Sequence, residues 1–148
     1  MKVDTKVFGY IEIDEKQKIN IPRGLFGFED YTEYVIFKAE HEPFCWLQSA
    51  EEKEIAFIVI NPFLFRGDYE ANVSDDELSE IGINSHDNIL IYAIVTIPRD
   101  GGPMTANLQG PIIINSEKMT GMQAVLSDSK WKTKHDILAE LNNTPNKG

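Results

Sequence analysis

Apolar and polar residues alternate with a period of two near the start of the chain. Val3, Thr5 and Val7 have polar neighbours, Ile11 and Ile13 repeat the pattern, and so do Ile19 and Ile21. That period turns one face of a strand to a core and the other to water. Farther on, the apolar positions fuse into runs of strand length: Tyr34-Val35-Ile36-Phe37, Phe44-Cys45-Trp46-Leu47, and residues 56–60, 89–97 and 111–115. Their β-branched and aromatic content favours strand over helix. Pro111 stands at the entry of its run, where a missing N–H does least harm. Gln123-Ala124-Val125-Leu126 is expected to add a further strand.

Turn signals separate these runs: Gly24, Gly27, Asn61-Pro62, Gly67-Asp68 and Asp100-Gly101-Gly102-Pro103. Gly24-Leu25-Phe26-Gly27-Phe28 reads as a turn whose phenylalanines plug the core. Two short helices are expected. Ser74-Asp75-Asp76-Glu77 has the form of a capping box, with the Ser74 hydroxyl accepting from the Glu77 N–H and the Glu77 side chain reaching back to the Ser74 N–H. Leu78 and Ile81 then face inward and Gly82 ends the element. The second helix is expected over about residues 131–141, with Trp131, Leu138 and Leu141 near one face. Many short strands between frequent turns predict a small, single-domain all-β fold, β-barrel-like, with one or two short helices. Residues 1–141 form that domain in this reading, and residues 142–148 a polar tail.

Composition narrows the function. The 148 residues, 42% of them hydrophobic, suit one domain with a proper core. No apolar run approaches the roughly 20 residues that span a bilayer, and Met1-Lys2-Val3-Asp4-Thr5-Lys6 has no apolar signal region. The expected location is the cytoplasm. The net charge of -10 repels nucleic acid and anionic membranes and attracts basic partners, although ordinary solubility explains the same sign. Cys45 is the only cysteine, so no internal disulfide forms. It reads as a small core hydrophobe, since nothing in the sequence sets a base beside it.

Catalytic patterns are missing from the sequence. His41, His86 and His135 form no metal-ligand pair, and there is no G-x-S-x-G elbow, phosphate loop or dinucleotide turn. The expectation is no catalytic residue, no metal and no cofactor. Glu51, Glu52 and Glu54 could pair for acid–base work or simply form a solvated face. Asp75, Asp76, Glu77 and Glu80 suit the positive end of a helix and are explained by it. The aromatic stretch from Asn61 to Glu70 is more open. Strict alternation would place Phe63 and Phe65 on one face and Leu64 on the other, as core packing or as an apolar patch for a protein partner.

The order and spacing of several segments resemble the family of flagellar assembly factors called FliW. They are residues 19–28, Pro43-Phe44-Cys45-Trp46-Leu47-Gln48-Ser49, residues 56–65, Asp68-Tyr69-Glu70, residues 105–115 and Gln123-Ala124-Val125-Leu126-Ser127-Asp128. The resemblance implies a compact β-barrel-like fold, no enzymatic activity, no cofactor and two protein partners. One is flagellin, held in the cytoplasm before export. The other is CsrA, a dimeric RNA-binding translational repressor. In that scheme flagellin occupies the factor until it is exported, and the freed factor then binds CsrA, which releases flagellin mRNA. An acidic chain is electrostatically suited to a protein that binds RNA through basic surfaces. The candidate partner-binding residues are Phe63, Phe65, Asp75, Asp76, Glu77, Glu80, Glu51, Glu52 and Glu54. The competing reading is a small β-barrel enzyme with an unrecognised active site. A nucleic-acid-binding barrel shares the architecture, and the charge sign argues against it.

Overall fold

The long apolar run at residues 89–97 has more neighbours than an ordinary strand, and this sets the architecture. The computed structural model describes residues 1–83 and 88–142. Its strands are β1 (Lys2–Thr5), β2 (Gly9–Glu12), β3 (Lys18–Asn20), β4 (Glu33–Lys38), β5 (Cys45–Ser49), β6 (Ala56–Ile60), β7 (Ile89–Thr96), β8 (Thr105–Ala106), β9 (Ile112–Asn115), β10 (Thr120–Gln123) and β11 (His135–Asp136). The described residues also form two short helices, α1 (Asp75–Glu80) and α2 (Ile137–Asn142), with 3₁₀ turns at Glu15–Gln17 and Pro62–Leu64. Among the described residues no helix is long and apolar enough to cross a membrane.

The strands follow each other as β7-β6-β5-β4-β3-β10-β9, and β9 pairs back onto β7, so the wall closes into a barrel. β7 binds β6 through Ala93–Val95, β9 through Ile89–Tyr92 and β8 through Val95–Thr96. Closure leaves the wall no open edge. Neighbours run antiparallel except β3 and β10, which meet in parallel at Asn20 and Thr120.

Alternation then sorts side chains between the interior and the outer layers. Ile19, Tyr34, Leu47, Val59, Ile112 and Ile114 fill the barrel. Ile113, between two inward residues, packs outward against Leu78, Ile81, Met122 and Ala124 beneath α1. This is why all four residues of β9 are buried: both faces are covered. Val35 points outward under the β1–β2 hairpin, against Val3 and Ile13. On the β6–β7 side, Ile60, Ala93 and Val95 pack outward on Phe65, Tyr69, Leu108, Trp131 and Ile137.

Several expectations need correction. The strand expected at residues 123–126 instead spans Thr120–Gln123. Its start is set by a turn in which Asn115 Oδ1 accepts from the N–H groups of Glu117 and Lys118, while Asn115 Nδ2 donates to the Ile81 carbonyl at 2.9 Å. β8 and β11 have two residues each, too few to carry a period. The first strand stops at Thr5, and Val7 is exposed beyond it. The second helix starts at Ile137; Trp131 lies before it, buried, whereas Leu138 and Leu141 are exposed. Asn142 belongs to this helix, and the remainder of the expected tail lies outside the described residues. At α1 the Ser74 hydroxyl does accept from the Glu77 N–H, but it also donates to Glu77 Oε1, so the side chain does not reach the Ser74 N–H. Cys45 is half-buried, and burial pushes its thiol up, with Lys38 pulling the other way.

Tyr34 carries a testable consequence. Its hydroxyl sits inside the barrel with no hydrogen-bond partner. Burial above all, then the nearby charge of Glu51, holds its pKa up at about 12 against an ordinary 10.0. Removing an unpaired buried hydroxyl should help, so Tyr34→Phe is expected to raise stability by about 1 kcal/mol, or roughly 2–4 °C in Tm. A raised folded-state pKa means that the tyrosine's contribution is intact below pH 10.0 and lost as pH climbs toward 12. The advantage of the variant should therefore widen across that interval in thermal melts.

Candidate functional site

The aromatic segment after β6 begins with a cap. Asn61 Oδ1 accepts from the Phe63 N–H at 3.0 Å, and Pro62 occupies the first turn of the 3₁₀ helix. The chain therefore coils after the expected turn, and strict alternation does not apply to it. Phe63 and Phe65 do not share a face: Phe63 is 43% exposed, Leu64 51% and Phe65 1%. Phe65 belongs to the core between β6–β7 and the C-terminal segment, so it is removed from any surface patch. Phe63 leans on the Tyr69 ring at 5.7 Å and lines an open cleft of about 350 Å³ with Leu90 and Tyr92.

Polar groups fasten this segment to the end of the chain. Arg66 donates through Nε and Nη2 to both oxygens of Asp68, each at 2.9 Å, and through Nη1 to Glu140 at 2.8 Å. Lys130 reaches Asp68 at 2.9 Å. The guanidinium of Arg66 and the ammonium of Lys130 lie over the Trp131 ring, 4.8 and 4.9 Å from its centroid. His135 Nε2 accepts from the Lys132 N–H at 2.9 Å, so the ring proton resides on Nδ1 and donates to Glu140 at 2.7 Å. The Tyr69 hydroxyl donates to the Leu108 carbonyl at 2.7 Å, and burial pushes its pKa well up. These are the histidine and carboxylates most like a catalytic group, and their hydrogen bonds are spent on holding two segments together. Among the described residues no cluster of His, Cys, Asp and Glu could hold a metal. His86 lies outside the described residues.

The two acidic groups fall on separate elements, a hairpin turn and a helix. Glu51, Glu52 and Glu54 form the turn from β5 to β6, whereas Asp75, Asp76, Glu77 and Glu80 belong to α1 over β9 and β10. β7 lies between them on one side of the barrel, β3 and β4 on the other. Glu80 pairs with Arg23. Glu51 has a backbone role: its Oε1 accepts from the N–H groups of Thr32 and Glu33 at 2.8 and 3.0 Å. Glu52 accepts from the Glu54 N–H.

At the barrel end where β3 stops and β4 and β6 begin, the expected turn is present, but its phenylalanines do not plug the core. Leu25 is buried, but Phe26 is 53% exposed and Phe28 also reaches solvent. The turn runs through Gly24 (φ 68°) and Gly27 (φ 87°), which hold Phe26 and Phe28 outside the wall. A Cβ on Gly24 would lie 2.6 Å from the Glu29 Cα. Beside it a cavity of about 340 Å³ is lined by Leu25, Phe26, Phe57, Ile94, Gln123 and Lys134 among others. Sequence reasoning missed this face because alternation cannot describe a glycine turn; Gly24 and Gly27 on either side of Leu25-Phe26 were its only signal.

Comparison with known proteins points one way. The profile of the FliW protein family matches residues 2–137. The flagellar assembly factor FliW of Treponema denticola is 50% identical over 142 residues, covering 96% of this chain and 97% of that one. That of Treponema pallidum is 43% identical over 141 residues, covering 95% and 94%. The crystal structure of a flagellar assembly factor FliW superposes with a TM-score of 0.85 at 35% identity, covering 93% of this chain and 96% of that one.

Two measurements follow from the geometry. Phe65→Ala should lower stability by about 3–5 kcal/mol in denaturant titration, whereas Phe63→Ala should stay within about 1 kcal/mol of the parent. Hydrogen bonds from Arg66, then Lys130, hold the Asp68 carboxyl well below its ordinary 3.8. A depressed folded-state pKa stabilises above the unfolded value and is lost on acidification. Asp68→Asn should thus melt lower than the parent at neutral pH, and the difference should close as pH falls below 3.8.

Proposed function

The chain belongs to the FliW family, and we propose that it is a flagellar assembly factor that works in the cytoplasm by binding proteins, without catalysing a reaction. The single observation that carries this reading is its similarity to named flagellar assembly factors across nearly the whole length of both chains. We propose two partners. Flagellin is held, chaperone-like, before export, and CsrA is bound when flagellin is gone, which lifts its repression of flagellin mRNA. Mutual exclusion suffices for the switch: if the two cannot bind together, each lowers the apparent affinity of the other.

The electrostatics support the CsrA half. A net charge of -10 attracts a basic RNA-binding protein and speeds encounter with it. Carboxylates brought beside an RNA path also repel the RNA, provided that they lie within the screening length of about 8 Å at 0.15 M salt. The polar cluster around His135 and Glu140 supports a binding role over a catalytic one, because its donors and acceptors are used in fastening the chain.

Calorimetry with each purified partner tests the switch: each should bind alone, and prior saturation with one should abolish the heat of the other. Independent simultaneous binding sinks it. Two variant sets test the electrostatic part. Asp75→Asn with Asp76→Asn leaves the Ser74–Glu77 contacts in place, and Glu52→Gln with Glu54→Gln spares the Glu51 bonds. One set should lose antagonism of RNA binding more than it loses CsrA affinity, and the loss should shrink in higher salt. No change in either set, at any salt, removes electrostatics from the mechanism.

A further inference from the structure

We propose that the aromatic mouth around Phe26 is a docking surface for a partner segment that presents one large apolar side chain flanked by lysine or arginine. It rests on the reading of this chain as a protein-binding factor, and names the face and the chemistry it recognises. Three observations carry it.

The first is a large aromatic side chain held in solvent by a fixed backbone. Phe26 is 53% exposed, yet its N–H donates to Gln123 Oε1 at 2.9 Å, and Gln123 Nε2 donates in turn to the Gly110 carbonyl at 2.9 Å. The Gly24 N–H bonds the Ile21 carbonyl and the Phe28 N–H bonds the Leu25 carbonyl, each at 2.8 Å. Exposing such a ring forfeits its burial, and fixing it beforehand lowers the entropy lost on binding. Rigid aromatic anchors of this kind dominate interface energies.

The second is a receptacle beside the ring. The cavity of about 340 Å³ has an apolar wall of Leu25, Phe26, Phe57 and Ile94. Phe28 extends that wall edge-on to Phe57 at 5.3 Å. The volume suits a leucine, methionine or phenylalanine side chain, and the surrounding apolar surface suits the stem of the segment carrying it.

The third is charge. The two turns that frame the Phe28–Phe57 pair, residues 22–33 and 50–57, carry Glu29, Asp30, Glu33, Glu51, Glu52 and Glu54 against Arg23 and Lys53. Arg23 is engaged by Glu80. Glu51 binds the two turns together through Thr32 and Glu33. The two turns beside the aromatic pair are thus net acidic and complement a basic flank on that side, although no carboxylate among the described residues lines the cavity itself. Lys134 lines the cavity as well, where it accommodates an acidic or carbonyl group and gives the docked segment a direction.

The test uses the full chain labelled with 15N and a Leu/Lys peptide of helical periodicity as probe, with its Leu/Glu counterpart as control. The largest shifts should fall on Phe26, Gly27, Phe57 and Lys134. Phe26→Ala, checked for folding by its thermal melt, should bind the Leu/Lys peptide at least tenfold more weakly; Phe63→Ala should bind as the parent does; and the Leu/Glu peptide should not bind. Shifts centred on α1 or on the Phe63–Leu90 cleft, or Phe26→Ala binding within twofold of the parent, overturn the proposal. So does concentration-dependent self-association that Phe26→Ala abolishes, since the occupant would then be a second copy. The same variant is then assayed against CsrA and flagellin. A parent chain that binds neither removes the proposed function and leaves the peptide map to judge the surface. A parent that binds either, with Phe26→Ala unchanged toward each, overturns the surface and leaves the function standing.

Discussion

The pairing of β9 with β7 is the contact on which the rest of the molecule depends. Through it Leu90, Ile91 and Tyr92 sit opposite Ile114, Ile113 and Ile112, and an open meander becomes a closed wall. Without it both strands would present unpaired edges, and Ile112 and Ile114 would have no interior to fill. Closure also fixes the outward direction of Ile113 and thereby gives α1 its seat, which Asn115 secures through the Ile81 carbonyl. One register decides the inner core, the outer layer and the position of the acidic helix together.

A second constraint holds the chain's later half. β7 still has hydrogen-bonding groups to offer beyond β9, and β8 with β11 takes them. The segment from Asn61 to Tyr69 and that from Lys130 to Glu140 then close over the outer side of β6 and β7, joined by stacked rings and by carboxylates shared between Arg66, Lys130 and His135. Most of these groups are partly exposed, so their net stabilisation is modest; the buried rings of Phe65, Tyr69 and Trp131 supply the larger part. Aromatic residues that first suggest a binding patch are mainly employed in attaching a layer.

The docking surface proposed above therefore lies at Phe26 and does not include Phe65. Phe65 is consumed by the core and Phe63 leans on Tyr69, whereas the turn at Gly24 and Gly27 turns Phe26 outward at an acidic barrel end. The turn thus sets an exposed ring beside an apolar cavity on the closed barrel.

The fold class was legible in the chain's local pattern, because a period of two is a local property: the alternation through Ile19 and Ile21 and the runs at 34–37, 56–60, 89–97 and 111–115 each report a strand without reference to any other. The family was legible too, from segments spread over the chain, as was the sign of the charge. So was α1, almost to the residue, since Ser74 and Gly82 are local cap signals. Which apolar residues are buried where no period operates is settled by long-range packing. Phe26, Phe63 and Phe65 are the same residue type in turns of similar composition, yet one is 53% exposed, one 43% and one 1%. Their exposure depends on which wall passes beneath each turn. β8 and β11 exist only because β7 offers them an edge. Trp131 is buried without a helix because two cations and Tyr69 come to it from elsewhere in the chain. The location of a docking surface depends on such long-range contacts, and no local pattern encodes them.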